Sequence, residues 1–221
     1  MTLEETLNTL RSQGLTFCGR PGKLETLIAV VQRIEQQKIP GIFIEAGVAM
    51  GGSAIVTAQV KAPERRLQLY DVFEMLPPPS EKDDPQAKAT YQSFVDGRVT
   101  GLTNQNYIQH AENLLAYVIS NMENFGIDPK KQNITFHRGL FQSTLQIAEP
   151  VAFAHIDCDW YDSVVTCIER MAPNMSLGGI MLFDDYNSFA GCRKAVDELV
   201  DHDHRFKVIH KDWTIAVKRS A

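Results

Sequence analysis

The stretch AHIDCDWYDS, residues 154–163, decides the fold that we expect for this chain. It ends an apolar run, VAFAHI, with two aspartates one residue apart, Asp157 and Asp159. Alternate residues of an extended chain point to the same side, so both carboxylates are expected on one side of a strand. Two negative charges at the tip of a buried strand indicate a site that binds a cation.

Similar apolar runs lie on both sides of this stretch and alternate with helical patterns. We predict strands at 42–47, 66–73, 133–139, 151–156 and 178–186, and helices at 23–34, 51–62, 111–126, 163–175 and 191–203. The first ten residues are acidic and helical, and the last two apolar segments, FKVIHK and WTIAVKR, are expected to pair antiparallel. This alternation predicts one α/β domain over residues 1–221, built on a doubly wound, mostly parallel sheet.

One long segment, from Leu76 to Gly101, is polar and rich in proline, and we predict that it is irregular. Long loops in compact domains are often functional. We therefore expect this segment to act as a lid over the site.

Composition limits the partners that the chain can have. The net charge of −5 gives a nucleic-acid partner no electrostatic support. No stretch approaches the roughly 20 apolar residues of a membrane span, and the N-terminus is unlike a signal peptide. The four cysteines, Cys18, Cys158, Cys167 and Cys192, form no CxxC pair. We expect scattered thiols in a cytoplasmic protein.

Ligands of doubly wound sheets bind at the carboxyl ends of the strands, so we expect the ligand site at the strand tips. The first strand leads into EAGVAMGGSA (45–54), where glycines allow a close approach to a ligand and a helix N-terminus offers free N–H groups. The loop is not GxGxxG and lacks the P-loop lysine, and an ordinary turn remains an alternative. Glu45 before the loop favours a cationic or amino-bearing ligand.

The next two tips carry groups that suit a nucleoside. Asp71 in LYDVFE is placed to accept the hydroxyl protons of a ribose diol, although a solvated capping aspartate is an alternative. Gly139 permits a close approach. Phe141 is available to cover a planar ring, or is an ordinary core residue.

The last two parallel strands supply four carboxylates, Asp157, Asp159, Asp184 and Asp185. Such a group repels itself unless a cation lies within it, and oxygen ligands without histidine or cysteine indicate Mg²⁺, Mn²⁺ or Ca²⁺ rather than zinc. Asp159 and Asp162 are alternatively caps of the following helix. His155 either faces the site or belongs to the core.

Four segments, in order and spacing, resemble the macrocin O-methyltransferase family over roughly residues 23–200: GIFIEAGVAMGGSA, LYDVFEMLP, HIDCDWYDS and GGIMLFDDYNSFAGCRKAVDE. Members of this family are S-adenosylmethionine-dependent enzymes that methylate sugar hydroxyls of macrolide and aminocoumarin antibiotics. The resemblance implies a Rossmann-like class I methyltransferase fold with a divalent metal, usually Mg²⁺. We also expect a homodimer.

The resemblance also implies roles for individual residues. The methionine part of the cofactor would be held by Glu45, Gly47, Gly51, Gly52 and Ser53. Asp71 would bind the ribose, with Phe73, Gly139 and Phe141 near the adenosine. The metal ligands would be Asp157, Asp184 and Asp185, and the general base would be Asp159. Ala49 and Met50 stand where the family usually has Trp-Arg.

The sequence thus predicts Mg²⁺-dependent methyl transfer from S-adenosylmethionine to a hydroxyl of a small molecule, a sugar or another diol-bearing natural product. A metal ion would stabilise the developing alkoxide while a carboxylate takes the proton. A glycosyltransferase with an Asp-x-Asp metal site is the rival enzyme, but it leaves the glycine loop and the second aspartate pair unexplained. A non-catalytic cofactor-binding protein of the same fold is the third alternative.

Overall fold

A computed structural model describes residues 1–16, 22–98 and 112–221. Within these ranges seven strands form one sheet in the order β3-β2-β1-β4-β5-β7-β6. The strands are β1 (Ile42–Ala46), β2 (Leu67–Asp71), β3 (Ile134–Arg138), β4 (Val151–Ile156), β5 (Met175–Phe183), β6 (Phe206–Lys211) and β7 (Ile215–Arg219). The first five are parallel, and β7 runs antiparallel to both β5 and β6. The predicted parallel sheet with a closing antiparallel pair is confirmed.

Helices cover both faces of this sheet. They are α1 (Leu3–Gln13), α2 (Lys23–Gln36), α3 (Gly52–Val60), α4 (Pro85–Val95), α5 (Leu114–Asn124), α6 (Phe141–Thr144), α7 (Tyr161–Met171) and α8 (Ala190–His202). Helices α1, α2, α3 and α5 share one core with Phe43 and Phe153, and α7 and α8 share the other with Ile44 and Ala154. Neighbouring strand residues thus serve opposite faces. None of the helices in the described ranges combines the length and the apolar character that a bilayer crossing needs.

The segment predicted to be irregular contains α4, so that prediction is wrong for residues 85–95. The Asp84 side chain accepts a hydrogen bond from the backbone N–H of Ala87 at 2.8 Å, and Pro85 is the first helical residue. Both are ordinary helix-start signals. Residues 99–101 of the segment lie outside the described ranges, as do Cys18 and the first residue of the helix predicted at 111–126.

The fifth strand begins earlier than predicted. Helix α7 ends at Met171, where a short 3₁₀ turn with Pro173 follows, and β5 then begins at Met175, three residues before the glycines at 178 and 179 with which the predicted strand starts. The pairing of β4 with β5 shifts between Val151 and Phe153, and Gly178 has a φ of +84° beside this irregularity. Glycine accommodates a bulge here without ending the strand.

Strand β1 lies between β2 and β4. The chain builds the sheet outward from β1 through β2 to β3 on one side, and then returns to place β4 and β5 on the other side. Loops diverge at such a switch point and leave a crevice at the carboxyl ends of the strands. The glycine loop follows β1 and the Asp157 loop follows β4. The topology therefore brings both predicted sites to one crevice.

Candidate active site

A cavity of about 480 Å³ opens at this crevice. Its walls include both aspartate pairs and several predicted cofactor residues, namely Gly47, Asp71, Gly139 and Phe141. Residues of the 76–98 segment, Leu76 and Phe94 among them, form another wall. The structure thus brings together residues from the tips of all five parallel strands.

The four carboxylates of Asp157, Asp159, Asp184 and Asp185, here named the acid cluster, lie side by side on the cavity wall. Parallel pairing aligns Ile156 with Phe183, so the residues that follow these strands emerge next to each other. Carboxylate oxygens of Asp157, Asp184 and Asp185 all lie within 4.8 Å of one another. Three oxygens at this spacing can share one cation.

Two details of the cluster differ from the prediction. Strand β4 ends at Ile156, and Asp159 has a φ of +57°, so a tight loop and not strand alternation places Asp159 beside Asp157. The loop is held by Trp160, whose Nε1 donates to the carbonyl of Pro77 at 2.9 Å. The first N–H of α7, at Tyr161, donates to Asp83 Oδ1 at 2.8 Å. Neither Asp159 nor Asp162 therefore caps that helix.

The pKa values in the cluster show how strongly the carboxylates act on each other. Burial and the charges of Asp184 and Asp185 raise the pKa of Asp157 well above its usual range. Burial and Asp185 do the same to the pKa of Asp159, and burial and Asp184 raise the pKa of Asp185. Desolvation and like charge both penalise the ionised forms. The cluster thus has an excess of negative charge.

The donor set fits a hard divalent cation. All of its ligand atoms are carboxylate oxygens, which Mg²⁺, Mn²⁺ and Ca²⁺ prefer. Asp185 Oδ2 is buried and accepts no hydrogen bond from the described residues. A buried carboxylate oxygen without a donor is costly, and a bound cation would satisfy it.

Two basic side chains contact the cluster. His155, fully buried, lies with Nδ1 3.6 Å from Glu45 Oε1 and Nε2 3.8 Å from Asp184 Oδ1. Burial opposes its protonation, but the two carboxylates outweigh burial and raise the pKa of His155 well above its usual value. The prediction left open whether His155 belongs to the core or to the site. The structure places it beneath the cavity as a bridge between two acids.

Lys23, which sequence reasoning missed, contacts Asp184 directly and lies 3.8 Å from Asp185 Oδ1. Burial lowers its pKa, but the two aspartates prevail and the net direction is upward. His155 and Lys23 are also the reason that the pKa of Asp184 falls below its usual value in spite of burial. One signal was available. A lysine in the first turn of a helix opposes the helix dipole and calls for an acidic partner.

The glycine loop packs directly against the loop that carries Asp157, and Gly47 is the point of contact. Gly47 has a φ of +90°, and a Cβ there would lie 1.8 Å from the carbonyl oxygen of Asp157. The N–H of Asp157 donates to Ala46 O at 2.9 Å, which joins the two loops at the same point. Only glycine fits this position.

The other loop residues predicted to hold the cofactor do not reach the cavity wall. Glu45 is fully buried and accepts a hydrogen bond from Ser53 Oγ beneath the loop. Gly51 precedes α3, which no side chain caps, so N–H groups of its first turn remain available. A Cβ at Gly52 would meet Leu15 O at 2.4 Å, so this glycine serves packing against the residues after α1.

Asp71 and Phe73 have different surroundings from those predicted. The Asp71 carboxylate already accepts hydrogen bonds from the N–H groups of Val48, Ala49 and Phe73, at 2.7, 3.1 and 2.7 Å. Burial raises its pKa. Its first task is therefore to shape the loop. Phe73 lies in the core with its ring 6.1 Å from that of Phe136, because its φ of +49° turns it away from the cavity.

Comparison with known proteins identifies the class and then the family. Solved methyltransferase structures share the fold: an O-methyltransferase named NovP at 23% identity (TM-score 0.68, covering 90% of this chain and 79% of that one) and the calicheamicin methyltransferase CalS11 at 19% (TM-score 0.65, covering 99% and 86%). An O-methyltransferase from Bacillus cereus also aligns at 16% identity (TM-score 0.61, covering 99% and 90%). The fold is thus the class I methyltransferase fold.

The sequence profile of the family described as Macrocin-O-methyltransferase (TylF) matches residues 8–219, and the chain belongs to that family. A tetracenomycin rhamnosyl 4'-O-methyltransferase of Streptomyces olivaceus is 29% identical over 189 residues. Demethyldecarbamoylnovobiocin O-methyltransferase of Streptomyces niveus is 25% identical over 182 residues. These alignments cover 83% and 80% of this chain but only 65% and 64% of the relatives' lengths. The predicted resemblance is confirmed.

Proposed function

We propose that this protein transfers a methyl group from S-adenosylmethionine to a hydroxyl of a small molecule, a sugar or another diol-bearing natural product, and that it uses Mg²⁺. Family membership supports methyl transfer, and both relatives compared above are named as O-methyltransferases. The same match leaves the glycosyltransferase alternative without support. The acid cluster beside the glycine loop is the observation that carries the proposal.

The charge of the site supports both the donor and the metal. Five carboxylates of the described residues form one group around His155 and Lys23, namely Glu45, Asp157, Asp159, Asp184 and Asp185; Asp71 and Asp162 line the cavity outside this group. Lys23 and His155 supply two positive charges. Three negative charges remain when every acid is ionised. A divalent ion and a sulfonium together carry three positive charges.

The metal would be held by Asp157, Asp184 and Asp185, whose oxygens already lie within 4.8 Å of one another. When bound, such an ion acts as a Lewis acid that orients the acceptor hydroxyl and favours loss of its proton. His155 holds Asp184 from beneath the cavity, at 3.8 Å. A fixed carboxylate loses less freedom on binding a ligand.

Asp159 would accept the proton of the acceptor hydroxyl. It lies on the cavity wall beside the three proposed ligands but does not belong to their close group. Its left-handed backbone turns it out of the strand direction. A carboxylate within reach of the reacting hydroxyl serves as a general base.

The donor would lie along the carboxyl ends of β1, β2 and β3, where Gly47, Ala49, Asp71 and Gly139 form the wall. Electrophilic methyl groups are transferred in line with the attacking oxygen, so positioning carries much of the rate. The opposite wall is apolar and includes Leu76, Phe94 and Phe189. We propose that this wall receives the acceptor, and that α4 closes over it as a lid.

Two measurements on one preparation test the proposal. Isothermal titration with S-adenosylhomocysteine should show saturable binding. Incubation with methyl-labelled S-adenosylmethionine, Mg²⁺ and a panel of glycosides and phenols should transfer label to a diol-bearing acceptor and should fail after chelation by EDTA. Binding without any transfer across the panel would favour the non-catalytic alternative, and transfer unaffected by EDTA would contradict the metal assignment.

A further inference from the structure

Lys23 is buried in direct contact with the acid cluster. It is the first residue of α2, and its side chain is 9% exposed. Its ammonium group contacts the carboxylate of Asp184 and lies 3.8 Å from Asp185 Oδ1. Both aspartates belong to the three proposed metal ligands, so the lysine occupies part of the coordination space of the metal.

An ammonium group at the position of Lys23 is unfavourable unless acids lie next to it. Burial of an ammonium costs several kcal/mol unless it is paired. The first turn of a helix disfavours a cation as well. Leu27, one turn further along the same side of α2, is buried in the apolar core, so an apolar side chain would suit this face of the helix. Among the described residues, the carboxylates of Asp184 and Asp185 are the contacting groups that compensate a positive charge here.

We propose that Lys23 is a resident counter-ion of the acid cluster, which neutralises Asp184 and Asp185 in the metal-free protein and competes with the divalent ion for them. The inference rests on the metal site of the proposed function. Lysine carries its charge on a flexible four-carbon stem, and Lys23 also lines the cavity. Its ammonium group can therefore leave the two carboxylates when a divalent ion arrives.

A purely structural role predicts the opposite result. If Lys23 only ties α2 to the end of β5, its removal loosens the aspartates and leaves metal affinity unchanged or weaker. If Lys23 competes with the metal, its removal strengthens metal binding, because the ion no longer displaces another cation. The sign of the change in metal affinity separates the two roles.

The test is the binding of Mn²⁺ and Mg²⁺ to the full chain and to Lys23→Met, measured by isothermal titration without cofactor. Lys61→Met is the matched control. Lys61 is also a buried lysine. Its Nζ donates to Gln132 O at 2.7 Å, away from the acid cluster. We expect Lys23→Met to bind the ion at least about tenfold more tightly than the wild type, since one unit charge beside a carboxylate easily exceeds that factor. Lys61→Met should remain within about twofold.

Thermal unfolding of the same samples gives a second readout. Metal-free Lys23→Met should melt below the metal-free wild type, since its acids lose their counter-ion, and Mg²⁺ should raise its Tm more than that of the wild type. Equal or weaker metal affinity in Lys23→Met overturns the inference. Should this variant not fold, Lys23→Gln, which keeps a polar side chain without the charge, is judged by the same criterion.

A titration with S-adenosylhomocysteine separates this inference from the rest of the proposed function. If the cofactor product binds but neither wild type nor variant binds a divalent ion, the metal site and this inference both fall while donor binding stands. If the metal binds equally to both proteins, only the role of Lys23 falls. Metal binding by Lys23→Met alone would support competition by Lys23 and would contradict the use of Mg²⁺ proposed for the natural chain.

Discussion

The two ends of the parallel sheet both carry charged side chains around a concavity, but the charges are balanced differently. At the amino ends, Arg65 forms two hydrogen bonds with Glu35, at 2.8 and 3.1 Å, and two more with backbone carbonyls. Arg66 pairs there with Glu149. At the carboxyl ends, the acid cluster and Glu45 outnumber Lys23 and His155.

Size does not distinguish the two concavities, since their volumes are about 370 and 480 Å³. Charge balance does. Each acid named at the amino ends is paired with an arginine, so its charge is neutralised without a cation from solution. At the carboxyl ends Asp185 keeps an oxygen without a donor among the described residues. Unbalanced buried charge of this kind is typical of functional sites, so the carboxyl ends are where we expect ligands to bind.

The largest expected effect is at the carboxyl ends. Asp159→Asn keeps the shape of the side chain but removes the proton acceptor, so turnover should fall roughly 10²–10⁴-fold. Isothermal titration should find cofactor and metal affinities close to those of the wild type. Near-normal turnover would move the role of base to another group. Weakened metal binding would instead make Asp159 a ligand.

At the amino ends the same kind of change should affect stability and not chemistry. Arg65→Met removes both hydrogen bonds from Arg65 to Glu35, which keeps the one from the Ala62 N–H, and should lower the free energy of unfolding by about 1.5–3 kcal/mol, the usual range for hydrogen bonds to charged groups. Urea denaturation measures this, and turnover per folded molecule should be unchanged. A loss of turnover without a loss of stability would show that the amino ends also take part in the chemistry.

Asp71 lies between these extremes because it shapes the loop and also lines the cavity. Asp71→Asn keeps one carbonyl oxygen for the loop N–H groups, so the fold should survive while affinity for S-adenosylhomocysteine falls about tenfold, or about 1.4 kcal/mol. Titration calorimetry measures this affinity, with circular dichroism as the control for folding. Unchanged affinity would reduce Asp71 to a structural residue.

The smallest expected effect is a dependence of metal-free stability on pH. The pKa values of Asp157, Asp159, Asp185 and His155 are all raised in the folded protein, so it binds more protons than the unfolded chain above the unfolded pKa values of about 4 and about 6.5. Stability therefore falls as pH rises through the folded pKa values. The Tm in EDTA should be higher near pH 5 than near pH 8, and Mg²⁺ should reduce this difference. A Tm that rises with pH in EDTA would show that the cluster is already neutralised.

The fold was predictable because apolar strands and amphipathic helices alternate along most of the chain, and the acid cluster was predictable because parallel strands end at one edge. Two features depended on tertiary contacts that periodicity does not show. Lys23 looks like an ordinary first residue of α2 until Asp184, distant in the sequence, is placed against it. Asp159 reaches the site through a left-handed backbone conformation. Helix α4 was missed although Asp84 and Pro85 announce its start.

The contact between Gly47 and the Asp157 carbonyl has a consequence for how this protein can be altered. Because a Cβ at position 47 would lie 1.8 Å from that oxygen, the two loop backbones are in direct contact, and a shift of one is expected to displace the other. A substitution that shifts the wall proposed to bind the methyl donor should therefore shift Asp157, the first of the proposed metal ligands, in the same direction. If the acceptor binds at the apolar wall formed by Leu76, Phe94 and Phe189, as proposed, its specificity should be open to change there while Gly47 and Asp157 keep their positions. Directed evolution toward new acceptors should therefore select substitutions on that wall and retain Gly47.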